Sequence, residues 1–218
     1  MDLASLFAAL QGGVETSALT GFVVASIVME ITPGPNMAYL AILALGDGRR
    51  AGYAAVLGVA LGLLIAGLAA SLGLGAAIAS SPLAWQILRW GGVLYLLWLA
   101  WDGWRDGRGT VEHAARGSSL GRFFRRGLFV NLLNPKAFAF YITVLPGFIV
   151  PGANITGQAV GLSLIYVAVA TIIHAAIVTG AAASHRALRD PARQRRIRRV
   201  LSVLLAFVAL WLAVRTAG

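Results

Sequence analysis

Long apolar stretches follow one another along the chain, and they constrain its fold more than any other feature. Runs of eighteen or more residues with few charges are typical of transmembrane helices, which satisfy their own backbone hydrogen bonds. Only 12% of the residues are charged, about half of what a soluble domain carries. We predict an all-α integral membrane protein with six transmembrane helices, at residues 18–46, 51–79, 83–101, 127–150, 157–184 and 200–214. The last is short for a bilayer, and part of the arginine-rich segment before it would complete it.

The distribution of basic residues predicts the orientation of these helices. The chain has seventeen arginines and one lysine, and fifteen of these eighteen residues lie in the loops after the first, third and fifth stretches. With six spans, these loops share one face of the membrane. Since cytoplasmic loops carry an excess of Lys and Arg, we expect the loops at 47–50, 102–126 and 185–199 in the cytoplasm. Both termini are then outside, with residues 1–17 as a retained external N-terminal segment.

The net charge of +10 raises the question of a nucleic-acid partner. The densest basic run, from His185 to Arg199, lies in a predicted cytoplasmic loop, where basic residues hold the topology and contact anionic lipid. We therefore predict the lipid bilayer as the partner of these arginines, and no nucleic acid. The chain has no cysteine, which excludes a thiol nucleophile, a thiolate metal site and disulfides.

The six predicted spans divide into two groups of three. Residues 18–101 form the first group and residues 127–214 the second, with a basic loop at 102–126 between them. An odd number of spans in each half places the halves in opposite orientations, which is a common transporter architecture. The first span of each half carries interior prolines, within ITPGPNMAY (31–39) and NLLNPKAFAF (131–140). We therefore predict a 3+3 inverted repeat whose first helix is broken in each half.

Each predicted break leaves polar backbone groups without helical partners, because proline lacks an amide donor and glycine has a low helix propensity. In hydrocarbon such groups are tolerated only against protein or beside a water-filled cavity. A half-helix that starts near Pro35 would also offer the positive end of its dipole to a carboxylate. The alternative is that the prolines only bend the helices. We predict a substrate-translocation site built from Pro33, Gly34, Pro35, Asn36, Asn131, Asn134, Pro135 and Lys136.

Two ionisable residues of opposite charge lie beside the predicted breaks. Glu30 precedes the first break, and Lys136, the only lysine, belongs to the second. Ionisable residues at membrane depth usually mark function. Three interpretations stay open: a structural ion pair, contacts to the two charges of a zwitterionic solute, or proton exchange by Glu30. His174, in the fifth stretch, either relays protons or hydrogen-bonds a neighbouring helix.

A GxxxG step in the second stretch predicts close helix packing. Gly58 and Gly62 lie one turn apart on one face of the predicted helix. The approaching helix need not belong to a second copy of the chain, and the sequence leaves association between copies open.

These motifs resemble those of the LysE/RhtB translocators of bacterial inner membranes. The resemblance covers nearly the whole chain, through TPGPN (32–36), GRRAGYAAVLGVALG (48–62), WGGVLYLLWLAWDGWR (90–105) and FFRRGLFVNLLNPKAFAFYITVLPGF (123–148). It implies a multi-pass secondary transporter of the cell inner membrane that exports amino acids or close derivatives, driven by the proton motive force. The implied partners are an amino acid and protons, with no cofactor and no enzymatic activity. The Pro-Gly-Pro-Asn and Asn-Pro-Lys motifs would lie in the transport path.

Other functions stay open beside this resemblance. A metal-cation exporter belongs to the same superfamily, although one Glu and one His within the spans are few for a divalent site. An uncoupled channel or a lipid-handling membrane protein is the further alternative, since sequence does not reveal coupling. Neither a GxxxxGK[ST] motif for ATP nor an HExxH hydrolase motif occurs.

Labelling tests the predicted orientation, because the chain has no native cysteine. We expect Ser5→Cys and Thr216→Cys to react with a membrane-impermeant maleimide added to intact cells. Ala192→Cys should react only after the membrane is opened, because positively charged loops stay in the cytoplasm. The reverse pattern would overturn the predicted topology.

Overall fold

The structure is a computed structural model that describes residues 16–32, 34–73, 80–106, 120–151, 154–185 and 191–215. Throughout these ranges the regular structure is helical, which confirms the all-α class. The α-helices are α1 (Thr16–Ile31), α2 (Pro35–Ser71), α3 (Pro82–Asp106), α4 (Leu120–Leu132), α5 (Pro135–Ala139), α6 (Ile155–His185) and α7 (Pro191–Arg215). A π-helical turn (Phe140–Val144) and a 3₁₀ turn (Leu145–Phe148) continue α5.

Several of these helices are long and apolar enough to cross a membrane. Within the described ranges they are Pro35–Ser71, Pro82–Asp102 and Ile155–Ala183, and a pair bent by 51°, Leu120–Leu132 with Pro135–Phe148, makes a fourth candidate. Two shorter apolar helices, Ala18–Ile31 and Arg199–Trp211, fall below the length of a span. The chain is a helical membrane protein, and its six-span arrangement stays a prediction.

Helix α2 folds back on itself at Gly48. This glycine has a φ of 83° and a ψ of −178°, a conformation that only glycine adopts without strain. A Cβ atom at Gly52 would lie 3.3 Å from the Cβ of Ala44. Eight residues of a straight helix would rise about 12 Å, so the chain reverses here. We describe α2 as a first arm (35–47) and a second arm (49–71), which meet between the predicted first and second spans.

The chain leaves the helical conformation at both positions where proline predicts a break. Helix α1 ends at Ile31 and α2 begins at Pro35, while α4 ends at Leu132 and α5 begins at Pro135. Proline is favoured at the first position of a helix, where its missing amide donor would have no partner. Pro33 lies outside the described residues.

Glycines bring the second arm of α2 into backbone contact with α4. A Cβ at Gly58 would collide with the carbonyl oxygen of Phe124, and a Cβ at Gly127 with that of Ala55. The close packing predicted from the GxxxG step is confirmed, and its partner is a helix of the same chain.

Helix α6 packs along the other side of the second arm and runs antiparallel to it. A Cβ at Gly52 would meet the Val178 side chain, and a Cβ at Gly67 that of Ser163. Helices α3 and α7 pack mainly against each other. The second arm is therefore a central element, with α4 and α6 held against it.

Replacing Gly58 tests this packing. We expect Gly58→Ala to lower the free energy of unfolding by about 1–3 kcal/mol, because a backbone carbonyl cannot move away from the new methyl group. Thermal unfolding in detergent, followed by circular dichroism, measures the change.

Gly180→Ala is the matched control. Among the described residues nothing lies within 4 Å of a Cβ at this position of α6. Higher helix propensity should then leave the stability unchanged or raise it by up to about 1 kcal/mol. Equal melting of the two variants would contradict the contact between α2 and α4.

Candidate functional site

The two breaks lie against each other. The Asn36 Nδ2 donates a hydrogen bond to the Asn131 Oδ1 at 2.8 Å, and the Lys136 Nζ donates one to the Thr32 carbonyl oxygen at 2.6 Å. These partners are 95 and 104 positions apart in the sequence. Each bond therefore joins one half of the chain to the other.

Lys136 reaches across from the second break to the end of α1. Thr32 follows the last residue of that helix, and carbonyl groups at a helix end have no intrahelical partner. An ammonium group there satisfies a carbonyl and is favoured by the negative end of the helix dipole. A Cβ at Gly34 would lie only 3.1 Å from the Lys136 Cδ. Glycine at this position therefore leaves the room that the lysine side chain occupies.

The half-helices that start after the two breaks are capped differently. The Asn134 Oδ1 accepts a hydrogen bond from the Lys136 backbone amide at 3.1 Å and so caps α5. Gly34, at the same place before α2, has no side chain with which to cap. The start of α2 therefore keeps backbone amides without an intrahelical partner. Such a helix start stabilises a carboxylate or another anion.

Glu30 belongs to a buried polar cluster with two residues of α6. The Glu30 residue is 4% exposed. The Tyr166 hydroxyl donates a hydrogen bond to its Oε1 at 2.5 Å, and the His174 Nε2 lies 3.0 Å from its Oε2. The Phe140 ring stacks on Tyr166 at 3.9 Å between centroids and holds the phenol in place.

A polar cavity lies between these groups. It measures about 250 Å³ with its open mouth included, and it is lined by Glu30, Gly34, Asn36, Met37, Asn134, Lys136, Ala137 and Tyr166. The space that solvent can occupy is about that of one water molecule. An amino acid would fit only if the surrounding helices moved apart.

The structure brings most of the predicted site residues together. Those that line the cavity are Glu30, Gly34, Asn36, Asn134 and Lys136. Pro35 and Pro135 begin the half-helices beside it. Asn131 and His174 do not line the cavity themselves, but Asn131 contacts Asn36 and His174 contacts Glu30. Pro33 belongs to the predicted site but lies outside the described residues.

Glu30 and Lys136 line one cavity without forming an ion pair. Both side chains belong to the described residues; Lys136 bonds to Thr32, whereas α6 holds Glu30. The structural ion pair is therefore not observed. Two opposite charges that are not paired with each other can meet the two charges of a bound solute.

Tyr166 is not among the site residues predicted from the sequence. It precedes His174 by eight residues, a spacing that places both on one stripe of a helix. A hydroxyl and an imidazole on one stripe of an otherwise apolar segment were the available signal. Their common partner is on another helix, which the sequence does not reveal.

Two amide atoms at the contact between the breaks have unused hydrogen-bonding capacity. Within the described part of the chain, the Asn36 Oδ1 and the Asn131 Nδ2 are buried and have no hydrogen-bond partner. A buried polar atom left in that state costs about 1–3 kcal/mol, so both favour a polar ligand or a changed arrangement. The part of the chain that the structure describes contains no group of three His, Asp or Glu side chains that could hold a metal ion.

The chain is similar to known proteins over a region that includes both breaks. The sequence model of the LysE type translocator family matches residues 27–216. A homoserine/homoserine lactone efflux protein of Salmonella typhimurium is 28% identical over 193 residues, which cover 88% of this chain and 94% of that protein. A leucine efflux protein of Enterobacter sp. is 33% identical over 140 residues, 62% of this chain and 65% of that protein. No solved structure matches the chain.

A double-mutant cycle tests the bond between the breaks. Asn36→Ala and Asn131→Ala each remove it and leave the other amide unpaired. The double variant should therefore be more stable than the sum of the two losses predicts, by about 0.5–1.5 kcal/mol. Unfolding of the purified protein in detergent measures all four forms.

Ser26 supplies the control for this cycle. Its hydroxyl bonds to the Phe22 carbonyl oxygen within α1. The losses from Asn36→Ala and Ser26→Ala should add, since the two side chains share no partner. Additive losses for Asn36 and Asn131 as well would show that these amides do not interact.

Proposed function

Because the chain belongs to the LysE type translocator family, we propose that it exports amino acids or close derivatives and that the proton motive force drives the export. Proteins of this family are transporters and not enzymes, and the chain is an integral protein of the inner membrane. The amino-acid class rests on the relatives, which are named for the efflux of homoserine, homoserine lactone and leucine.

The charges of the central cavity suit a zwitterionic amino acid. Lys136 and the uncapped start of α2 offer positive charge to an α-carboxylate. Glu30 offers negative charge to an α-ammonium group on the wall of the same cavity. The proposal rests on one observation: Glu30 is 4% exposed and lines the same cavity as Lys136.

Proton coupling follows when the proton and the substrate compete for Glu30. A carboxylate that holds the substrate ammonium releases it on protonation, because the attraction between opposite charges is lost. A proton arriving from outside then drives release outside, and loss of that proton to the cytoplasm prepares the next cycle. His174 and Tyr166 are placed to pass protons to Glu30 and to hold its carboxylate. Intramembrane carboxylates and histidines form such relays in other transporters.

Transport requires that the cavity open to each side in turn. In our proposal residues 18–101 and 127–214 are inverted halves that move against each other around the two breaks. The pairing of equivalent helices supports this. The second arm of α2 and helix α6 correspond to the second predicted span of each half, and they pack against each other. Helices α3 and α7 correspond to the third predicted span of each half, and they also pack against each other. The basic loops would be cytoplasmic and both termini outside.

Neutralising either charge tests the function. We expect Glu30→Gln and Lys136→Ala to lower amino-acid export about a hundredfold while the protein still inserts and folds, because loss of a buried charged contact costs several kcal/mol. Counterflow of a panel of amino acids, including homoserine and leucine, in liposomes with and without a pH gradient measures this. Size-exclusion chromatography in detergent reports folding.

Arg105→Gln is the control for charge removal, because Arg105 is exposed near the end of α3. It should leave transport unchanged. Normal export by both cavity variants would refute the proposed site. Amino-acid flux that ignores the pH gradient would indicate an uncoupled channel, and transport of divalent cations would favour the metal-exporter alternative.

A further inference from the structure

A second cavity lies beside Arg122 and Arg126, and we call the side of the protein that carries these two arginines the basic face. It measures about 600 Å³ with its open mouth included, and its walls come from α2, α3, α4 and α7. Tyr39 lines it one helical turn after Asn36, and Asp47 lines it two turns further along the first arm of α2. Arg122 and Arg126, near the start of α4, line it as well.

The course of the chain connects this cavity with the central one. The first arm of α2 runs from Asn36, in the wall of the central cavity, to Asp47, which precedes Arg49 and Arg50 in the sequence. Helix α4 runs back from Arg122 to Asn131, which bonds to Asn36. A solute that enters from the basic face would therefore meet the second cavity first and the two breaks next.

The polar groups in its wall include donors with no partner. Within the described residues, the Tyr39 hydroxyl and the Arg122 Nε are buried without a hydrogen-bond partner, and Tyr39 is 4% exposed. Arg126, in contrast, donates a hydrogen bond to Asp102 at 2.5 Å. Both guanidinium groups lie over an aromatic ring, Arg126 over Trp98 and Arg122 over Phe123. A buried donor without a partner costs free energy that an incoming acceptor recovers. Arg122 and Tyr39 are thus prepared for a ligand that brings oxygen acceptors.

We propose that this second cavity, which we name the vestibule, is a docking site for the α-carboxylate of the amino-acid substrate, with Arg122 as the carboxylate-binding residue. This rests on the proposed function and adds a second binding site to it. Guanidinium groups match the planar geometry of a carboxylate. The Tyr39 hydroxyl lies at the inner end, where the solute passes towards Asn36. Asp47 also lines the vestibule, so that both charge signs are present, which fits a zwitterion better than a purely anionic lipid headgroup.

The experiment compares substrates with and without a carboxylate. Homoserine has a free carboxylate, whereas homoserine lactone has none; leucine and leucinamide form a second such pair. Initial rates in proteoliposomes, with substrate added at each face in turn, give KM and the maximal rate. Arg122→Gln should raise KM for homoserine and leucine about tenfold at the basic face, the equivalent of one lost charged hydrogen bond. KM for the lactone and the amide, and the maximal rate, should stay within about twofold of the wild type.

Arg125→Gln is the matched control. Arg125 belongs to the same helix and carries the same charge, but it is exposed and does not line the vestibule. It should leave every KM unchanged. Tyr39→Phe, which removes only the hydroxyl, should raise KM in the same substrate-selective way, and it serves if Arg122→Gln does not fold.

Four outcomes would overturn the proposal. These are an unchanged KM, an equal rise for substrates with and without a carboxylate, an equal effect of Arg125→Gln, and an effect that appears only when anionic lipid is present. The last would assign Arg122 to a lipid headgroup. A wild type that transports no amino acid of a full panel would instead refute the proposed function and this proposal with it, whereas normal wild-type transport with any of the four outcomes refutes the vestibule alone.

Discussion

Broken backbone inside a membrane has to find its hydrogen-bond partners in the protein, and here each break supplies partners for the other. Lys136 from the second break satisfies the carbonyl of Thr32 at the end of α1, and Asn36 after the first break bonds to Asn131 before the second. Helix packing holds the two breaks against each other. Gly58 and Gly127 let α2 and α4 touch through their backbones, which places these short hydrogen bonds within reach.

The groups that satisfy the backbone also give the site its charge. Lys136 lies at a helix end and on the cavity wall, while Glu30 is held by Tyr166 and His174 from α6 and lines the same wall. A solute can enter the central cavity only if the contacts across the breaks loosen, because the present space is about that of one water molecule. Binding and conformational change are therefore coupled through the same side chains. The wider space lies on the basic side, beyond Tyr39.

Much of this arrangement could be predicted from local signals. Prolines mark both breaks, and the chain reverses at Gly48, between two apolar stretches. The candidate residues around Lys136 follow from the cost of a charge and of free backbone groups at membrane depth. Tyr166 could not be identified in this way, since its importance comes from a carboxylate on another helix. Arg122 could not be identified from the sequence either. It lies three residues before Arg125 on α4, and only the structure shows that Arg122 lines the second cavity whereas Arg125 is exposed.

The sequence by itself determined that this chain is a helical membrane protein, where its helices break, and which charged groups lie beside the breaks. The membrane class follows from the length of the apolar stretches, and the breaks follow from the missing amide of proline. The charged site residues follow from the cost of a charge in hydrocarbon. Only the tertiary structure decided that Lys136 binds Thr32 rather than Glu30, that Tyr166 and His174 of α6 contact Glu30, and that a second cavity opens beside Arg122. The reason is that these contacts join residues far apart in the chain, so they depend on how the helices pack and not on any local pattern.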